Sequence, residues 1–178
     1  KTVTAQIVAE GQPGQMQTRI NANGQVSLKT LTDWLQFNQA LPASGDLPYQ
    51  LQLSLGSRDN RLNVTSSLKG LAIDLPAPFG KAAADTRDSR FNMSLQGPER
   101  QFDAAYADLA RFAYAAPAEK LTQGRGELVL GTGDARVPVS QGLRVRGRLE
   151  TLDLAPLIAD LLRRDKRWLD AVAIAAIE

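Results

Sequence analysis

The stretch Ser66 to Lys81 reads SSLKGLAIDLPAPFGK, and the rest of the chain takes its meaning from it. Its front half continues a strand that opens near Arg61, where Leu62, Val64, Ser66 and Leu68 alternate with Asn63, Thr65, Ser67 and Lys69 at the strand period of two. At Gly70 the parity flips, and Leu71, Ile73 and Leu75 carry the apolar face. One extra residue at a glycine is what a β-bulge supplies, so the sequence predicts a strand that bends and keeps its apolar side on one face. Pro76 and Pro78 end it, because proline lacks the amide hydrogen a ladder needs.

Outward on the N-terminal side, Val3, Ala5, Ile7 and Ala9 alternate with polar residues, Gly11 to Gly14 turns, and Met16, Thr18 and Ile20 alternate again, which predicts a hairpin. Asn23-Gly24 predicts a tight turn into a further strand through Val26 and Leu28. Thr32 or Asp33 is suited to cap a short helix over 32–41, with Trp34, Leu35, Asn38 and Leu41 on one face. Tyr49, Leu51, Leu53 and Leu55 against Gln50, Gln52 and Ser54 make the cleanest one-faced strand, and a turn at Ser57 to Asn60 returns the chain to the central stretch.

On the C-terminal side, Lys81 to Asp88 reads as a loop, and Phe91, Met93 and Leu95 as a strand turned by Gly97-Pro98. Phe102, Ala104 and Tyr106 continue, with Phe112 and Tyr114 resuming after an interruption at Asp108 to Ala110 that is either a bulge or a helical turn. Gly126, Leu128 and Leu130, a turn at Gly131 to Asp134, and Val137 with Val139 predict a hairpin; Leu143, Val145 and Leu149 predict the last strand. Ala155 to Ile177 has a helical pattern. Leu28-Lys29-Thr30-Leu31, Leu68-Lys69-Gly70-Leu71 and Leu149-Glu150-Thr151-Leu152 echo one another and raise the question of a repeat.

Composition narrows the chemistry. The 178 residues suffice for a single β-rich segment spanning 1–178 with a real core, and a chain that opens on Lys1 is expected to be a piece of a larger protein. A net charge of +2, from 21 basic and 19 acidic residues, gives no reason to expect nucleic acid. With no histidine and no cysteine, the usual general base, thiolate nucleophile, disulfide and zinc ligands are missing. Asp85 with Asp88, and Asp103 with Asp108, have no clustered partners, and Gly131-Thr132-Gly133 lacks the residues of a phosphate loop. No enzyme activity, cofactor or metal is expected. The most apolar run, Ala171 to Ile177, has seven residues against the roughly 20 that span a bilayer, so any membrane anchor is expected outside 1–178.

About ten strands with one apolar face each, and two short helical regions to cover them, leave two solutions. The sheet closes into a sandwich or barrel, or it stays open as a groove. Arg144, Arg146 and Arg148 share the outer face of the last strand, where solvation is the simplest role.

The central stretch adds a resemblance. Leu68 to Lys81 resembles the signature strand of the YhdP family, large bacterial envelope proteins of the AsmA-like group, and the strand-rich flanks are similar to the same family's central region. The resemblance marks Gly70, Leu75, Pro76, Pro78 and Lys81 as structural signature positions. It implies a periplasmic segment of a parent protein anchored in the inner membrane, which carries phospholipid toward the outer membrane along an apolar β-groove. With it, the expected fold is a mainly β, long curved antiparallel sheet with an open groove and helical pieces near 32–41 and 155–177. The lining is then expected from Tyr49, Leu51, Leu53 and Leu55, from Leu62, Val64 and Leu68, from Leu71 and Ile73, and from Phe91, Met93 and Leu95. The expected partners are phospholipid acyl chains and the remainder of the same chain. The alternative is a closed β-sandwich serving a structural or protein-interaction role in the cell envelope, without lipid binding.

Overall fold

The computed structural model describes residues 3–10, 17–34, 40–56 and 60–148. Among them the chain is mainly β, with ten mostly antiparallel strands in a sheet that is not closed, and little helix. It divides into two compact units, one of 1–74 with 80–96 and one of 75–79 with 97–178.

In the first unit β1 (Thr4–Glu10) pairs with β2 (Gln17–Ser27), β2 with β3 (Ala43–Leu55), β3 with β4 (Arg61–Ser66), and β4 with β6 (Ser89–Ser94), all antiparallel. The short β5 (Leu71–Ile73) pairs with the start of β3. Asn23-Gly24 is not a turn: β2 runs straight through it, with Asn23 opposite Gln50 and Gly24 opposite Tyr49. The tyrosine ring overrides the local signal, since a Cβ on Gly24 would stand 3.0 Å from the Tyr49 hydroxyl, and an aromatic laid over a cross-strand glycine stabilises the pair.

The helix starts earlier than Thr32. The α1 helix (Leu28–Trp34) follows β2 directly, because the Ser27 hydroxyl accepts the Thr30 amide hydrogen at 3.1 Å and so supplies the N-cap. Residues 35–39 lie outside the described residues, and Ala40 and Leu41 are not helical. The Gly11 to Gly14 turn, Leu149 and the helix expected over 155–177 also fall outside them. The leucine echo is not structural at its first two members: Leu28 to Leu31 is helical, whereas Leu68 to Leu71 is a turn.

The second unit orders its strands β7 (Glu99–Tyr106), β8 (Ala110–Pro117), β9 (Arg125–Leu130) and β10 (Gly142–Gly147). The interruption at 108–110 is a hairpin turn, neither a bulge nor a helix, closed by the Leu109 amide donating to the Tyr106 carbonyl at 3.0 Å, with Ala107 at φ 45°. The hairpin expected through Val137 and Val139 does not form. Residues 131–141 cross over, and β10 runs parallel to β9. The Glu127 carboxylate accepts the Arg136 amide at 3.0 Å, and Gly133 stands over Val129, which holds the crossover on the face that carries Ala113, Glu127 and Val129. Those three residues are buried, Val129 fully.

Candidate functional site

Within the first unit the cross-strand registers line up into rows. Ile7, Ile20, Leu53, Leu62 and Met93 stand opposite one another across five strands, and Ala5, Ala22, Leu51, Val64 and Phe91 form the next row on the same face. Neighbouring members of such a row are about 4.5–5.5 Å apart at Cβ, so each row is a continuous apolar strip. None of these ten side chains is buried: the inner ones are half-buried by their neighbours, and Ile7 on β1 is 68% exposed. Helix α1 touches β2 and β3. A sheet face sandwiched in a core would bury its large side chains, and this one leaves them open.

The opposite face is polar across β2, β3, β4 and β6, and on the edge strand β1 its one apolar member is Val8, opposite Arg19. Its central row reads Gln6, Asn21, Gln52, Asn63 and Asn92, flanked by Thr4, Asn23, Gln50, Thr65 and Arg90. The alternation read in the sequence therefore holds on five strands at once.

Of the residues expected to line a groove, Leu51, Leu53, Leu62, Val64, Phe91 and Met93 come together in the two rows. Tyr49 and Leu55 extend the same face of β3, with Leu55 37% exposed. Leu95 lies just past β6, its amide donating to the Asn60 carbonyl at 2.8 Å. Leu68 and Leu71 are placed elsewhere: both are buried at the bend and take no part in the rows, and Ile73 sits with Leu71 in β5.

Two of the signature residues, Gly70 and Lys81, build the bend. Between the β3–β4 and β3–β5 ladders, five residues (Ser66 to Gly70) face four (Asp46 to Tyr49), which is the one-residue shift that the parity change demanded. The device is a tight turn, with the Leu71 amide donating to the Leu68 carbonyl at 3.1 Å and with Leu68 at φ 51° and Gly70 at φ 100°. A Cβ on Gly70 would lie 2.6 Å from the Asp46 carbonyl oxygen, so only glycine fits. Leu68 bears the left-handed strain that glycine would avoid, and this was not legible from its side chain.

Lys81 locks the turn. Its side chain is buried, and the ammonium donates to the carbonyls of Leu68 at 2.9 Å, Ala82 at 2.9 Å and Leu71. Burial lowers its pKa from the ordinary lysine value, opposed by the nearby Asp85 carboxylate. Backbone bonds complete the clasp: Gly70 donates to Ala83 at 2.7 Å, and Ile73 and Lys81 exchange amide and carbonyl at 2.9 and 3.0 Å. Leu75, Pro76 and Pro78 group with the second unit, in which the Tyr106 hydroxyl donates to the Phe79 carbonyl at 2.8 Å.

The second unit also carries apolar rows on one face, while its other face holds the buried Ala113, Glu127 and Val129 beneath the crossover. Ala104, Phe112, Leu128 and Val145 form one apolar row, and Phe102, Tyr114, Gly126 and Leu143 the next, with the Phe112 and Tyr114 rings stacked at 5.8 Å. None of the large side chains in these rows is buried. Glu127 on the other face was missed in the sequence, although its polar parity between Gly126 and Leu128 marks it. It is 5% exposed, and Arg146 donates to both its oxygens, at 3.0 and 3.3 Å, so Arg146 is tied down and not simply solvated. The hydrogen bonds from Arg146 hold the Glu127 carboxyl below its usual pKa, against the opposing effect of burial. A depressed carboxylate contributes stability that is full above the unfolded-state value and is lost as the pH falls through the folded one. We therefore expect the urea midpoint to drop as the pH falls below the ordinary glutamate range, and Glu127→Gln to flatten that drop. Parallel pH profiles for the two proteins would contradict this role. Glu99, which Arg125 also holds below its usual value, adds the same trend to both proteins and cancels in the comparison.

Among the described residues no three of His, Cys, Asp or Glu gather as a metal site, and no helix is long and apolar enough to cross a membrane. What the geometry defines in the first unit is an antiparallel sheet with continuous, unburied apolar rows on one face and mostly polar rows on the other. The chain belongs to the YhdP family, a family of bacterial envelope proteins: the family model described as YhdP protein matches residues 2–173. No curated protein and no solved structure matches it.

Proposed function

We propose that this chain is a segment of a periplasmic lipid-transfer bridge, in which phospholipid acyl chains lie along the apolar rows and no reaction takes place. The observation that carries the reading is the pair of rows through Leu53 and Leu51, uninterrupted across five strands and with no member buried. An acyl chain laid on them removes apolar area from water at about 25 cal/mol per Å², so a few hundred Å² yields several kcal/mol before ordering costs. That holds a lipid while letting it slide, because every step along the row exchanges like contacts for like. A closed sandwich would need the same side chains buried against a second layer, and their exposure favours the open reading. The inner-membrane anchor and the rest of the bridge belong to the parent protein in this reading.

The test is phospholipid delivery to the outer membrane by the parent protein carrying Leu53→Glu or Gln52→Glu. Loss with the first and retention with the second supports the reading, and retention with both overturns it.

A further inference from the structure

The polar face of the first unit is unusual in what it lacks. A solvated sheet face ordinarily carries lysine and glutamate, whereas the central row here is five carboxamides: Gln6, Asn21, Gln52, Asn63 and Asn92. Each carboxamide both donates and accepts hydrogen bonds without charge. Successive members stand one strand spacing apart, about 4.8 Å, which is close to the length of one pyranose unit in an extended β-1,4-linked glycan. Gln52 donates to Asn21 at 3.3 Å, and a depression of about 380 Å³ opens over Asn21, Gln52 and Asn63, bordered by Asn23, Gln50 and Thr65. Arginines rim the row: Arg19 and Arg61 lie in the next row on one side and Arg90 in the next on the other.

We infer that this face binds an extended glycan strand running across the β-strands, one sugar per strand, whose acetamido and hydroxyl groups bond the carboxamide row and whose carboxylates meet the rimming arginines. The neutral centre suits uncharged hydroxyls and acetamides, and the cationic rim suits carboxylates at the edge of the sugar chain. No aromatic side chain stands in the polar rows of this face, so binding rests on many weak hydrogen bonds and requires several sugars at once. This surface is the reverse of the apolar rows, so a segment seated on a glycan keeps its lipid-contacting side free. The inference does not depend on the lipid reading.

The experiment is a titration of the ¹³C,¹⁵N-labelled 178-residue chain with the β-1,4-linked N-acetylglucosamine hexamer and, in parallel, sedimentation with peptidoglycan sacculi. We expect saturable shifts of the side-chain amide signals of Asn21, Gln52 and Asn63, with the Leu53 methyl signals unmoved. Since each bond lost is worth about 1 kcal/mol, the double variant Gln52→Ala, Asn63→Ala should weaken hexamer binding about tenfold or more. Arg19→Gln with Arg61→Gln should weaken sedimentation with sacculi more than hexamer binding. Amide signals that do not move with the hexamer, or a double variant that remains folded by its backbone spectrum and binds undiminished, would overturn the inference.

Discussion

Replacing Lys81 with methionine should cost the fold about 2–3 kcal/mol, read as a lowered urea midpoint, although the substitution keeps most of the unbranched stem and removes a buried charge. Removing a buried ammonium relieves a desolvation cost, and when a whole buried ion pair is replaced by apolar groups the outcome is often neutral. Here the partners are backbone carbonyls that cannot be replaced. Those of Leu68, Leu71 and Ala82 would lose their shared donor inside the clasp, and each unsatisfied buried group costs about 1–3 kcal/mol. The carbonyl penalty exceeds the relief. Arginine should not rescue, because a planar fork cannot aim three donors at three carbonyls that converge on one tetrahedral nitrogen. An unchanged midpoint in Lys81→Met would mean that the turn is held by Gly70 and its backbone bonds alone.

The second large effect is a contrast. Leu53→Glu should remove lipid delivery while shifting the urea midpoint little, by less than about 1 kcal/mol, because the carboxylate keeps contact with water on an open face. Val129→Glu, with a fully buried parent side chain, should cost about 4 kcal/mol or more and unfold the unit that contains it. The two substitutions change similar chemistry at neighbouring polarity, so the difference between them measures the openness of the row and nothing else. If Leu53→Glu unfolds the chain as Val129→Glu does, the apolar rows are a core.

The strand pattern was legible because alternation is local: each of β3, β4 and β6 shows its two faces in its own residues. The bend was legible for the same reason, since a parity change at Gly70 requires an odd residue wherever the strand pairs. What failed was decided by partners distant in sequence. Asn23-Gly24 is a strong turn signal until Tyr49 is laid across the glycine. Val137 and Val139 alternate like a strand, yet the crossover is fixed by Glu127 through Arg136 and by Arg146, and Val139 ends almost fully exposed. Leu68 shares the parity of Val64 and still leaves the apolar face, because the turn closes on its carbonyl and Lys81 buries it. The rows themselves needed the registers of four strand pairs, which no single segment contains.

Single-cysteine labelling tests the central claim most directly, because the chain contains no cysteine of its own. Ile7→Cys, Leu53→Cys, Gln52→Cys and Val129→Cys would each be prepared free of lipid and exposed to a maleimide under native conditions. If the apolar rows are open, the cysteines at 7 and 53 react on the time scale of the one at 52, while the one at 129 stays protected until the fold is melted. Protection at 53 equal to that at 129, in a protein that remains folded, would contradict the open face on which the account rests.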